Sequence, residues 1–148
     1  MRDIAVFSEE VEREALTALH AAEFGRIVAA GFELAASSAA LLAGLADNPA
    51  WHLYMGFDGH EPAGAAAMFV HGGVAWFDWA ATRPEFRRRG CQGALLQHRV
   101  RDALALDCRR MVTETGEAVE GDPQHSYKNI LRAGFEQLDV RANFVRAR

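Results

Sequence analysis

Arg87-Arg88-Arg89-Gly90-Cys91-Gln92-Gly93-Ala94-Leu95-Leu96 is the stretch on which the reading of this chain turns. It follows an apolar run, residues 74–82, that ends in a charged turn at Pro84. It leads into a segment whose Leu96, Val100, Ala103 and Leu104 recur at helical spacing. The order is strand, basic turn with a glycine, helix. Such a turn aims several backbone N–H groups and the positive end of the helix dipole at one place, which suits a phosphate or pyrophosphate. Gly90 permits a close backbone approach or a positive φ, and Arg87, Arg88 and Arg89 add donors and charge. As a bare pattern, arginines in a turn read equally as a solvated surface. Two known phosphate loops are excluded: no Lys-Ser/Thr follows a glycine as in a Walker loop, and there is no G-x-G-x-x-G.

The longer run Ala80-Ala81-Thr82-Arg83-Pro84-Glu85-Phe86-Arg87-Arg88-Arg89-Gly90-Cys91-Gln92-Gly93-Ala94-Leu95-Leu96 resembles the signature of the GNAT-superfamily N-acetyltransferases. That signature is a strand ending before a proline, then Q/R-x-x-G-x-G/A, then an Ala/Leu-rich helix. Downstream, Ser126-Tyr127-Lys128-Asn129-Ile130-Leu131-Arg132-Ala133-Gly134-Phe135 is similar to the family's second motif, a helix closing on Gly-Phe before the last strand. The likeness spans about residues 10–148. One position departs: the signature's last Gly/Ala is Gln92 here, with Gly93 one residue later, which bears on the closest approach to the pyrophosphate.

The resemblance implies acetyl-CoA as co-substrate, an amine as acceptor and no metal. It assigns the pyrophosphate to Arg87, Arg88, Arg89, Gly90, Cys91, Gln92, Gly93 and Ala94, and the pantetheine and carbonyl to backbone groups near Ala80, Ala81 and Thr82. Ser126 and Asn129 become candidate donors to the CoA arm, with plain helix-surface polarity as the other account. The family's acid is often a tyrosine four residues before the glycine of Gly-Phe; that position is Ile130, and Tyr127 lies a helical turn earlier. Tyr127 reads as a packed tyrosine, with donation through water as the alternative, and a thiolate can also leave unassisted near neutral pH. For the base, a Glu or His often serves at a strand position occupied here by Asp78, with Glu114 on the next strand as second candidate. Alternation puts Asp78 on one face with Ala80 and Thr82, and the apolar neighbours Trp76, Phe77 and Trp79 would raise its pKa.

At 148 residues the chain reads as a single domain, 1–148, with the first ten residues an arm or extra strand. A net charge of −4 argues against nucleic acid as a main partner. No run reaches transmembrane length and no basic-then-apolar leader opens it, so a soluble cytoplasmic protein is expected, with no membrane partner and a homodimer left open. Cys91 and Cys108 imply neither a disulfide framework nor a zinc site. At a helix N-terminus the Cys91 thiol pKa tends to fall, although packing is the favoured role. No histidine pair has metal-ligand spacing, and His125 is the one near the proposed cleft. Trp51, Trp76 and Trp79 read as core, or as walls of a substrate pocket.

In order, residues 4–7 form a short strand or arm; residues 8–16 are Glu-rich and helix-prone by themselves, while the family register implies the first strand at 11–16, which is the reading taken. Thr17 caps a helix with Phe24, Ile27 and Val28 on one face, ending near Gly31. A second helix, 34–45, carries a stripe of Leu34, Ser38, Leu41 and Leu45 and stops at Asp47-Asn48-Pro49. Strands 51–57, 63–70 and 74–82 make a meander through turns at Asp58-Gly59 and His71-Gly72-Gly73. The small residues of 63–70 suggest close approach of another element, or simply tight packing. Helix 92–107 returns the chain to a parallel strand, 110–115. After an acidic loop, 117–122, Asp122-Pro123 opens a helix that Gly134 stops, and an alternating strand, 136–146, closes the chain. The order β-α-α-β-β-β-α-β-α-β is mixed α/β (α+β). The expected fold is a mostly antiparallel central sheet of six to seven strands flanked by about four helices. Three functions stay open: a small-molecule N-acetyltransferase first, then a protein or peptide acetyltransferase, then a non-catalytic acyl-CoA-binding module suggested by Ile130 and Gln92.

Overall fold

The computed structural model describes residues 10–116, 121, 124–142 and 144, with side chains from residue 19 onward. The chain divides into two compact units, Met1–Glu114 and Thr115–Arg148. The first opens with α1, Glu10–Gly31, and α2, Ser38–Ala43, which a 3-10 turn at Gly44–Asp47 ends. The meander follows as β1, Trp51–Asp58, β2, Glu61–His71, and β3, Val74–Thr82. Helix α3, Cys91–Ala105, then returns the chain to β4, Arg110–Thr113. The sheet order is β1-β2-β3-β4, with both hairpins antiparallel and β3–β4 parallel.

Two apolar layers sandwich this sheet. On one face Phe24, Ile27, Val28 and Ala29 of α1 and Leu42 of α2 pack on Ala65 and Ala67 of β2, flanked by Trp51, Leu53, Met55, Trp79 and Ala81. On the other, Cys91 and Leu95 of α3 pack on Ala63 and Ala66, flanked by Tyr54, Ala80 and Phe86. The largest fully buried side chains are Phe24, Phe77, Met68, Leu95 and Val28, each contributing about 1.5–3 kcal/mol of burial.

Five expectations need correction. Residues 11–16 are helical, part of α1, and Thr17 lies inside that helix rather than capping it. The segment is dominated by Ala, Glu, Leu and Arg, whose helix preference outweighs the strand place implied by the family register. The second helix starts at Ser38, after a turn in which Glu33 has φ 54°, so its phase differs: Leu42 faces the core and Leu41 is 79% exposed. On α3 the buried residues are Cys91, Leu95, Leu96, Arg99 and Ala103, whereas Leu104 is exposed. The sheet has four strands among the described residues, not six to seven. One expected strand is α1, and residues 136–142, despite their alternation, pair with no strand. Residues 4–7, the acidic stretch 117–120, Asp122 and Pro123, and Asn143 with 145–146 lie outside the described residues. The fifth correction concerns the face that Asp78 occupies and belongs with the site.

The small residues of β2 have a steric cause. A Cβ on Gly64 would stand 2.6 Å from the Cys91 sulfur and 2.9 Å from the Ala81 carbonyl oxygen, and one on Gly56 2.9 Å from that sulfur. The N-terminal turn of α3 is thereby seated directly on β1 and β2. Close approach of another element is the reading that holds.

In the second unit, α4 spans His125–Arg132. Its end is closed by Gly134, at φ 93°, with Gly134 N–H bonded to the Leu131 carbonyl and Phe135 N–H to that of Ile130. This is the left-handed closure expected of that glycine.

Candidate active site

The feature that opens a site in the first unit is an irregularity in β3. Ala65 pairs with Ala81 and Ala67 with Asp78, so β3 places two residues, Trp79 and Ala80, against Ala66 alone. Trp79 takes φ 48°, a conformation that costs a bulky side chain about 1–2 kcal/mol. Its ring packs with the α1 core and meets Phe32 edge-on at 5.4 Å, contacts that offset the strain. The bulge sits just beyond the point where β3 loses its parallel partner. Pairing with β4 ends at Phe77–Thr113, where the Thr113 hydroxyl donates to the Phe77 carbonyl at 2.9 Å. From Asp78 to Thr82 the β4 side of β3 is unpaired among the described residues, so the two strands part there.

The bulge also corrects the alternation argument. Because Ala65 and Ala67 share a face of β2, their partners Ala81 and Asp78 share one too. Asp78 therefore sides with Trp76 and Ala81, while Ala80 and Thr82 face α3. An extra residue in a strand flips every side chain beyond it.

Asp78 is half-buried. That burial raises its carboxyl above the usual range; the Trp79 N–H bond pulls it back, Glu114 pushes it up again, and the Arg99 charge lowers it. The two base candidates are thus neighbours, Asp78 half-buried and Glu114 exposed.

Beyond Thr82 the chain makes a 3-10 turn, Pro84–Phe86, and enters α3 through Arg88 at φ 62° and Gly90 at φ 82°. Gly90 is the residue before the helix, and its carbonyl receives the first helical bond, from Ala94 N–H at 3.0 Å. The N–H groups of Cys91, Gln92 and Gly93 precede that bond and lack acceptors within the helix. Among the described residues, a Cβ at Gly90 or at Gly93 would meet no atom within 4 Å. The place above this turn is open, as a cradle for an anion must be.

The arginines divide by duty. Arg83 donates to the Pro62 carbonyl at 3.1 Å and pairs with Glu85 at 2.7 Å; Arg89 pairs with Asp58 at 2.7 Å. Both guanidiniums lie 5.5 Å from the Phe86 ring centre. Arg87 makes one long bond, 3.4 Å, to the Thr82 carbonyl, and Arg88 is exposed with no ion pair among the described residues. Arg87 and Arg88 can therefore turn to a ligand at little cost, whereas Arg83 and Arg89 brace the turn. Arg87→Ala should weaken CoA binding about tenfold or more, the loss of one charged hydrogen bond. Arg83→Ala should weaken it less. Equal losses in a CoA titration would favour a diffuse basic surface.

Cys91 is buried, and burial pushes its thiol up, partly offset by a hydrogen bond with Thr82. The helix N-terminus does not activate it; it packs. Of the residues placed in the second unit, Ser126, Tyr127 and Asn129 all stand on α4, and the Tyr127 hydroxyl donates to Gln137 at 2.7 Å. His125 is exposed at its first turn. Among the described residues no group of His, Cys, Asp or Glu could hold a metal ion, and no helix is long and apolar enough to cross a membrane.

A family model described as an acetyltransferase (GNAT) domain matches residues 12–129. The chain belongs to the GNAT acetyltransferase family. Solved structures agree on the fold. A ribosomal-protein-alanine N-acetyltransferase from Brucella melitensis biovar Abortus 2308 superposes with TM-score 0.71 at 14% identity, over 99% of this chain and 100% of that one. The aminoglycoside N-acetyltransferase AAC(6')-Iy in complex with CoA gives TM-score 0.68 at 18% identity, covering 88% and 90%. A protein described as a GNAT-family acetyltransferase from Desulfovibrio desulfuricans gives 0.68 at 23%, covering 85% of each chain. No curated protein matches this chain in sequence at a significant level.

For this GNAT chain, sequence reasoning missed three residues that shape the parting strands: Trp79 as the bulge, Thr113 as the last clasp, and Arg99, 3% exposed beneath the sheet. Only Arg99 left a signal. It lies on the stripe of Leu95 and Ala103 at four-residue spacing, a lone charge in an apolar row.

Proposed function

We propose that this GNAT protein is a cytoplasmic, acetyl-CoA-dependent N-acetyltransferase that moves an acetyl group to a primary amine of a small molecule, by direct transfer in a ternary complex. The observation that carries the proposal is the parting of β3 from β4 after Phe77–Thr113, followed by an open, basic N-terminal turn of α3. When bound, acetyl-CoA supplies an acetyl group already activated as a thioester. The N–H groups of residues 91–93, with Arg87 and Arg88, would hold its pyrophosphate. The unpaired backbone of Ala80, Ala81 and Thr82 would hold the pantetheine. Asp78, kept in a half-apolar setting, accepts the proton of the acceptor amine directly or through water, with Glu114 beside it drawing in the cation. Ser126 and Asn129 as donors to the CoA arm, and Tyr127 as acid, rest on the resemblance alone.

A small-molecule acceptor is supported by the aminoglycoside-acetylating neighbour and by the adjacent carboxylates, which favour a cationic amine. The alanine-acetylating neighbour keeps a peptide acceptor as the second reading. A CoA-release assay with acetyl-CoA and a panel of amino acids, polyamines, aminoglycosides and a peptide with N-terminal alanine tests this. Release with a small amine supports the proposal, and release with the peptide alone favours the second reading. CoA binding without release from any amine would identify a binding module.

A further inference from the structure

Arg99 lies on α3, on the face of the sheet away from Asp78, yet its guanidinium gathers the groups that fix where the strands part. Its Nη1 donates to the Ala67 carbonyl at 3.1 Å, and Ala67 is the residue of β2 paired with Asp78 at the edge of the bulge. Its Nε donates to the Leu95 carbonyl at 3.3 Å, tying that hold to α3. Its charged carbon sits 4.9 Å from the ring centre of Phe77, the last β3 residue paired with β4. A buried, hydrogen-bonded guanidinium thus touches both strands of the bulged pair, β2 at Ala67 and β3 at Phe77, its last residue paired with β4. Burying such a charge is costly, and an apolar side chain of similar volume would usually serve stability as well. Its presence here calls for another task.

We infer that Arg99 is a positioning residue for acetyl transfer: its bond to the Ala67 carbonyl and its seat against Phe77 fix the β3 bulge beside Asp78. The inference rests on the acetyl-CoA reading above. The other titratable groups that act on these two residues are Tyr54 on β1, which acts on Arg99 and whose hydroxyl donates to Asp102 of α3 at 2.9 Å, and Glu114 just past β4, which acts on Asp78. Burial raises the Tyr54 phenol far above neutrality, so it carries no charge that changes near pH 7. Burial lowers the Arg99 guanidinium only to about 10, so it stays charged near pH 7 and draws the Asp78 carboxyl down, less than Glu114 raises it.

The test compares the parent with Arg99→Met and Arg99→Lys by thermal melting, CoA titration and the pH dependence of kcat. Arg99→Met should melt within a few degrees of the parent, bind CoA about tenfold more weakly, and lose activity on the acid side at a higher pH. The sign follows from the charge: without the cation, Asp78 holds its proton to higher pH. Arg99→Lys keeps the charge but not the fork. It should return the acid limb towards the parent while CoA affinity stays reduced. An Arg99→Met protein with parental CoA affinity and parental acid limb overturns the inference, as does one that melts far lower with an unmoved limb. If Arg99→Met does not fold, an Arg99→Lys protein with parental CoA affinity overturns it on its own. Failure of the parent itself to bind CoA would instead remove the acetyl-CoA reading, and this inference with it.

Discussion

Asp78→Asn is expected to lower turnover at pH 7 by about a hundredfold or more, the usual worth of a positioned general base, while leaving CoA affinity unchanged. A primary amine is mostly protonated at neutral pH, so something must accept its proton before the nitrogen can attack. Asp78 is the half-buried carboxylate at the first position of β3 past its pairing with β4. Activity of the variant should recover in part at high pH, where the amine loses its proton to solvent. Stability gives a second readout with a definite sign. A carboxyl whose folded pKa is raised favours folding fully below its unfolded pKa, and that contribution is lost as pH rises through the folded value. The neutral Asn variant should therefore melt at or above the parent at pH 7. Unchanged turnover across pH would remove Asp78 from the mechanism and move the role to Glu114.

Gly64→Ala should be the most damaging small substitution in the sheet. The new methyl would collide with the Cys91 sulfur at 2.6 Å and with the Ala81 carbonyl oxygen at 2.9 Å. The second contact is backbone beside the bulge and cannot yield cheaply. Overpacking of this kind costs about 1–3 kcal/mol, several degrees of melting temperature in a chain of this size. CoA affinity should fall with it, because the turn that α3 brings to the phosphates is lifted from its seat. Gly56→Ala supplies the control. Its only close contact is the same sulfur, at 2.9 Å, so its penalty should largely vanish in a Cys91→Ala background. A Gly64→Ala protein as stable as the parent would contradict this account of the seat.

Much of this was legible in the sequence, and the misses share a cause. The meander, the signature turn and α3 were readable because local chemistry decides them: Asp58-Gly59 and His71-Gly72-Gly73 close hairpins, and Gly90 sits where a left-handed φ is required. Residues 11–16 were misjudged because family register was weighed above their own helix preference. The stripe of α2 was misjudged because a turn at Glu33 resets its phase. The bulge at Trp79 was invisible because nothing in the local sequence announces it: a tryptophan at positive φ is chosen by tertiary packing against Phe32 and the α1 core. That single residue moved Asp78 to the other face from Ala80 and Thr82. Arg99 was passed over because a charge on a helix is normally read as a solvated one.

Calorimetric titration of CoA into the intact protein at low and raised salt, with a chelator present, decides whether the turn from Arg87 to Gly93 holds the pyrophosphate of acetyl-CoA. With the pyrophosphate on that turn, binding is saturable at one site, unaffected by the chelator and progressively weaker as salt screens Arg87 and Arg88. Absence of binding, or binding indifferent to salt, would contradict that placement.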